Sequence, residues 1–152
     1  MRTTTVGLVL SGLLAAMIME WSWTPARAAD SSANDEWTAP ARAARKKNPI
    51  AADEKSLAAG KAVYVKECAS CHGETGKGDG SAAKDLNPKP RDLRVPKMWE
   101  QTDGSLFWKL TEGKKPMPSY DKLLSEDDRW HVINYTRSTY APKGSSATTQ
   151  PK

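Results

Sequence analysis

Three stretches of the chain repeat apolar residues at helical spacing, and none alternates in the manner of a strand. In SLAAGKAVYVKECASCH, Leu57, Gly60, Tyr64, Cys68 and Cys71 recur at intervals of 3, 4, 4 and 3, which places them on one helix face. TDGSLFWKLTEG predicts a second helix, with Thr102 as its cap, Leu106, Phe107 and Leu110 as its apolar side and Gly113 as its stop. SEDDRWHVINYTRSTY predicts a third. Ser125 with Asp128 three positions on has the form of a capping box, Glu126–Asp128 put negative charge at the positive helix end, and Arg137 and Pro142 mark the finish. The pattern is that of an all-α fold with long loops and no internal repeat.

The flanks read differently. Residues 1–28 begin with basic Arg2, continue through an apolar run broken by Gly7, Ser11 and Gly12, and end in Ala26-Arg27-Ala28, as a secretory signal peptide does. The run is short against the roughly 20 apolar residues of a membrane span, so an uncleaved anchor is the lesser reading. Residues 29–52 are rich in Ala, Ser and Pro and form an extended arm anchored by Trp37 and Ile50, with a disordered linker before Trp37. Residues 53–140 form the one domain. The tail, 141–152, has no large apolar side chain after Ala141 and is read as disordered.

The formal charge of +5 and pI near 9.2 raise the question of an anionic partner. Residues 53–140 hold 15 basic and 14 acidic side chains, so the excess sits mostly in the flanks. That distribution argues against nucleic-acid binding by the domain. A segment of 85 residues, Ser56–Tyr140, with one Phe and few large aliphatics would bury a thin core, which calls for a staple or a large apolar ligand.

Every cysteine of the chain lies in Cys68-Ala-Ser-Cys71-His72. A structural zinc site needs four ligands, but the chain has two Cys and two His, and His131 is far along it. A thioredoxin-type pair belongs near a βαβ pattern, which is missing, and adjacent helical turns suit a disulfide poorly. Cys-x-x-Cys-His is the attachment sequence of c-type haem. Two thiols one turn apart reach the two vinyl groups on one porphyrin edge, and the adjacent His72 turns toward the iron. For the other iron face, the methionines beyond residue 28 are Met98 and Met117. Met117 lies between Pro116 and Pro118 after the Gly113 stop, and each proline favours an extended residue before it, so Lys115 and Met117 are expected extended in a loop crossing the haem face. Met98 is read as packing.

CASCHG at 68–73, the Gly-rich GETGKGDG after it, NPKPRDL at 87–93, LFWKLTEGKKPMP at 106–118 and the final RWHVINYTRS together resemble a class I monohaem cytochrome c over Ser56–Tyr140. The resemblance implies a cytochrome c fold, three main helices and long loops wrapped around one covalent haem c, with His72 and Met117 as iron ligands. It further implies that the first and last helices cross, Gly60 and Tyr64 meeting Val132 or Tyr135, and that a carbonyl of Pro88 or Pro90 accepts from the second nitrogen of His72. Arg91 and Arg94 are candidates for the propionates, and Trp108 for the pocket wall or for ordinary core. His131 is read as a surface or boundary residue, and RAARKKNPI as a solvated stretch or a docking arm for an acidic partner.

With both axial positions filled there is no room for substrate, so no catalytic residue is assigned. The expected function is that of a periplasmic single-electron carrier between donor and acceptor redox proteins, meeting a membrane only through an uncleaved leader or a membrane-bound partner. Two competitors remain: a haem enzyme or gas sensor with a vacatable sixth position, and a fixed cytochrome subunit of a larger redox complex.

Overall fold

A computed structural model describes residues 37–143 of the chain. The expected leader, the start of the arm (29–36) and the tail from 144 lie outside the described residues. The architecture is all-α: α1 (Ala41–Ala44), α2 (Glu54–Val63), a π-helical turn (Tyr64–Cys68), α3 (Ala69–His72), a 3-10 turn (Ala83–Asp85), α4 (Pro96–Trp99), α5 (Asp103–Glu112) and α6 (Glu126–Tyr140). The three expected helices are present. The first is continuous from Glu54 to His72 but widens into the π turn immediately before the cysteines, a local form that tends to mark functional sites. The short helices α1 and α4 carry too few residues for a period to be read from sequence.

Side-chain caps fix the starts of the long helices. Asp53 accepts from Ser56 N at 2.8 Å, Thr102 Oγ1 from Ser105 N at 3.1 Å and Ser125 Oγ from Asp128 N at 3.0 Å. Each satisfies an orphan amide worth about 1 kcal/mol. Ser125 Oγ also donates to Asp128 Oδ2 at 2.7 Å, a second, side-chain link between the two capping residues.

The centre of the fold is the crossing of α2 with α6. Gly60 is buried against α6, and a Cβ there would collide with the His131 carbonyl and stand 2.7 Å from Tyr135 Cβ. One turn on, Tyr64 packs on Tyr135 and Tyr140 with ring centroids 5.6 and 5.4 Å apart. Trp130, Val132 and Ile133 of α6 face the core with Leu106 and Phe107 of α5, and the Phe107 and Trp130 rings stack at 4.0 Å. Arg137 ties three elements together: its guanidinium meets Asp103 Oδ1 at 2.7 Å and donates to the Trp99 and Gln101 carbonyls at 3.1 and 2.8 Å.

Residues 37–52, set apart in the sequence as an arm, lie on this framework and include a helical turn. Trp37 packs on Trp108 at 6.3 Å, Ile50 joins the core edge, and Thr102 Oγ1 donates to the Ala44 carbonyl at 2.7 Å. Gly104 permits this approach, since a Cβ there would meet the Ala43 and Lys46 carbonyls. Asn48 Nδ2 donates to Asn134 Oδ1 at 2.8 Å, and Asn134 Nδ2 donates to the Ile50 carbonyl at 3.1 Å and to Ser56 Oγ at 2.9 Å. Ser56 Oγ lies 2.9 Å from His131 Nδ1, so His131 is a half-buried boundary residue held in a polar network. Truncating Asn134 leaves buried Ser56 and the Ile50 carbonyl short of partners. Asn134→Ala is expected to lower the unfolding free energy by about 1–3 kcal/mol in denaturant titration, with the helical signal of the folded protein retained.

Candidate cofactor-attachment site

The site grows out of the end of the first long helix. Cys68 is buried at the close of the π turn, Cys71 and His72 are half-buried in α3, and both cysteines carry free thiols. Gly73 ends the helix with φ +76°, a left-handed geometry that glycine adopts without penalty. Burial, reinforced by the Glu67 carboxylate and then by Cys71, pushes the Cys68 thiol up to about 12. Burial also draws His72 below the ordinary imidazole value, opposed by a smaller effect of the Arg91 carbonyl. A neutral imidazole is the form that can donate a lone pair to a metal.

His72 Nδ1 lies 3.2 Å from the Arg91 carbonyl oxygen. The carbonyl facing His72 is therefore that of Arg91, in place of Pro88 or Pro90. Pro88 is exposed, and the carbonyl of Pro90 turns toward Gly78. The reason is the path of the following loop: Gly78 N donates to the His72 carbonyl at 2.8 Å and Leu93 N to the Gly76 carbonyl at 2.7 Å, which sets the register of residues 90–93 beside His72. With Nδ1 turned to a carbonyl, Nε2 is the nitrogen left as donor.

Met117 is half-buried in the loop that follows the Gly113 stop. Lys114 and Met117 exchange backbone hydrogen bonds, Met117 N to the Lys114 carbonyl at 2.9 Å and Lys114 N to the Met117 carbonyl at 3.1 Å, so 114–117 is a tight turn with a cis Lys115–Pro116 bond. The loop is bound to the attachment helix by Tyr120, whose hydroxyl donates to the Glu67 carbonyl at 2.9 Å while its amide donates to the Leu110 carbonyl at 2.9 Å. Burial raises the Tyr120 phenol above its ordinary value, keeping it a donor.

The other candidates are distributed around this centre. Arg94 is engaged by Asp92 at 2.7 Å, and that exposed contact holds the Asp92 carboxyl at about 2. Arg91 contributes its backbone carbonyl to His72 while its residue is otherwise exposed. Trp108 meets Trp37 of the N-terminal segment. Met98 is half-buried at the core edge, with Gln101 Nε2 3.5 Å from its sulfur, in keeping with packing. Sequence reasoning passed over Tyr120 and Tyr140. Their signal was available only as tyrosines in otherwise polar surroundings, because the carbonyls they bind are 53 and 66 positions away.

Comparison with known proteins places the chain. Residues 55–135 match the family model described as Cytochrome C oxidase, cbb3-type, subunit III, and the chain belongs to that family. It is thus similar in general to c-type cytochromes. Among solved structures, the chain is 33% identical to a chain of the Kuenenia stuttgartiensis reducing HAO-like protein complex Kustc0457/Kustc0458, over 60% of this chain and 46% of that one, with a TM-score of 0.55. It is 23% identical to cytochrome CL of Methylophaga aminisulfidivorans MPT, covering 61% of each chain, with a TM-score of 0.48. The c-type cytochrome KustC0563 is 18% identical over 53% of this chain and 95% of its own, with a TM-score of 0.46. The chain spans less than half the length of the first of these and about three-fifths of the second. No curated protein matches the sequence. Among the described residues, no helix is long and apolar enough to cross a membrane.

Tyr120→Phe removes the hydroxyl that ties the Met117 loop to the helix of Cys68. The expected loss is about 0.5–1.5 kcal/mol in unfolding free energy, with amide exchange faster in residues 114–121 than in α6.

Proposed function

We propose that the chain holds one haem c through Cys68 and Cys71, with His72 and Met117 as axial ligands, and passes single electrons as a cytochrome subunit of a larger redox complex. The observation that carries the reading is the Cys68-x-x-Cys71-His72 helix end with His72 Nδ1 turned to the Arg91 carbonyl. The donor set fits the group. Two thiols stand one helical turn apart, the neutral imidazole keeps Nε2 for a metal, and a half-buried thioether lies on a loop bonded to the same helix through Tyr120. A haem held there supplies a one-electron ferric–ferrous couple. Cys68 and Cys71 would make its thioether bonds, so that it is retained in an exported protein. His72 is oriented by Arg91, and Met117 adds a soft ligand that favours the ferrous state. With both ligands supplied by the chain, no position is left for a substrate, so the residues hold and orient without carrying out turnover.

The sequence alone placed a mobile periplasmic carrier of the class I monohaem type first. The family description names an oxidase subunit, and the Kuenenia relative is described as part of a complex, so both support the fixed subunit over the freely diffusing carrier. Donor and acceptor are then redox proteins of that assembly, met on the periplasmic side.

Two outcomes test these assignments. Met117→Ala is expected to lower the reduction potential, to abolish the far-red absorption of sulfur bound to ferric iron and to let carbon monoxide bind the reduced protein quickly. Met98→Ala should cost below about 2 kcal/mol of packing and leave all three unchanged. If the wild type lacks the band and binds carbon monoxide, Met117 is not the ligand and the sensor or enzyme reading takes its place. Native extracts separate the remaining readings: a subunit should elute with a larger redox assembly and stay there after a salt wash, whereas elution at the size of a single chain supports the mobile carrier.

A further inference from the structure

We propose that Gly78 is the positioning residue that holds the Arg91 carbonyl on His72, and so sets how strongly that imidazole donates to iron; this rests on the haem reading above. Gly78 N donates to the His72 carbonyl at 2.8 Å, which anchors Gly78 directly beneath His72. Its φ is +78°, and a Cβ added there would collide with the Pro90 carbonyl oxygen and stand 3.1 Å from its carbon and 3.4 Å from the Arg91 carbonyl carbon. The Pro90–Arg91 segment therefore rests on the bare α-carbon of Gly78. From that seat Arg91 presents its oxygen to His72 Nδ1 at 3.2 Å. The contacts close a ring: His72 backbone, Gly78, Arg91, His72 side chain. Leu93 N on the Gly76 carbonyl at 2.7 Å holds the same segment from its other end, and Gly76 is itself seated under the Tyr140 ring.

The distance decides the sensitivity. An N–H···O contact of 3.2 Å is already at the long end of the useful range, so an outward shift of a few tenths of an ångström by Arg91 loses it. A ligand histidine that donates its Nδ1–H is more basic and stabilises ferric iron. Losing the contact makes it a weaker donor and raises the potential. Gly78 thus acts on the iron only through the position of Arg91, with no contact of its own to the group.

The test uses the haem-loaded protein. Gly78→Ala adds the clashing carbon, and Gly78→Asn adds it with a residue that tolerates positive φ, so that backbone strain and displacement of Arg91 are separated. Asn134→Ala is the control, a loss of stability at a network that does not touch His72. The readouts are solvent exchange of the His72 Nδ1–H by proton NMR and the reduction potential. In both Gly78 variants the exchange is expected to speed up roughly tenfold, as for loss of one hydrogen bond, and the potential to rise, with neither change in the control. Wild-type exchange and potential in the Gly78 variants, or equal shifts in Asn134→Ala, overturn the inference. Should neither Gly78 variant fold, the wild type supplies the test: the Gly78 amide and the His72 Nδ1–H are expected to be protected from solvent exchange together, and a protected Gly78 amide beside a freely exchanging His72 Nδ1–H overturns the inference. Absence of covalent haem from the wild type by mass overturns the haem reading and this inference with it; haem present with His72 unaffected overturns this inference alone.

Discussion

The contact of the α2 backbone with the α6 backbone at Gly60 is the constraint from which the remaining geometry follows. Only a residue without a side chain lets the His131 carbonyl come so close, and that closeness brings Tyr64 within ring contact of Tyr135 and Tyr140. The phenols then reach past the helix end: Tyr64 donates to the Gly73 carbonyl and Tyr140 to the Glu74 carbonyl, each at 2.7 Å. The loop that follows His72 is thereby fastened to α6. Residues 90–93 are laid along that loop, and His72 is oriented by them. A helix crossing thus determines, through two phenols and a glycine loop, which carbonyl the imidazole meets.

Cations hold the far side of the core more than exposed ion pairs do. Lys46 meets Glu126 at 2.7 Å, but both side chains are about half exposed, and such pairs contribute at most about 1 kcal/mol. The same ammonium sits 4.2 Å from the Phe107 ring centroid, and the buried Arg129 guanidinium is 4.8 Å from that ring. Arg129 also donates to Thr111 Oγ1 at 2.8 Å. These contacts place two positive side chains around the Phe107–Trp130 stack, where partial desolvation strengthens a cation–ring interaction. They help explain how α5 and α6 remain packed in a domain with few large aliphatic side chains.

The helices and the Cys68-x-x-Cys71-His72 run were legible in the sequence because both are local. A cap, a glycine stop and an apolar period act within a turn or two, so Thr102, Gly113 and Ser125 announced their helices without knowledge of neighbours. The Cys68–Cys71–His72 spacing is equally local. The resemblance to class I cytochromes c implied that Gly60 and Tyr64 meet α6 at Val132 or Tyr135, and Tyr135 is the residue that both approach. The carbonyl that meets His72 was not legible. NPKPRDL offered Pro88 and Pro90 as candidates, but the choice depends on where Gly76 and Gly78 set the register of a segment about fifteen residues further on. For residues 37–52 the sequence offered Trp37 and Ile50 as anchors, but Asn48 and Asn134 look like solvated polar positions until tertiary packing makes them each other's partners across 86 positions.

The sequence by itself determined the helical class, the limits of α5 and α6 and the chemistry available at residues 68–72, because these depend on backbone propensity and on spacing within one helix. Tertiary structure alone decided that Arg91 faces His72, that Tyr120 binds the Met117 loop to the Cys68 helix, that 114–117 closes as a turn and that the N-terminal segment lies on α5 and α6. The physical reason is that a hydrogen bond between distant residues carries no periodic trace in either segment. It exists only once helix crossing and loop register have brought a donor to within about 3 Å of its acceptor.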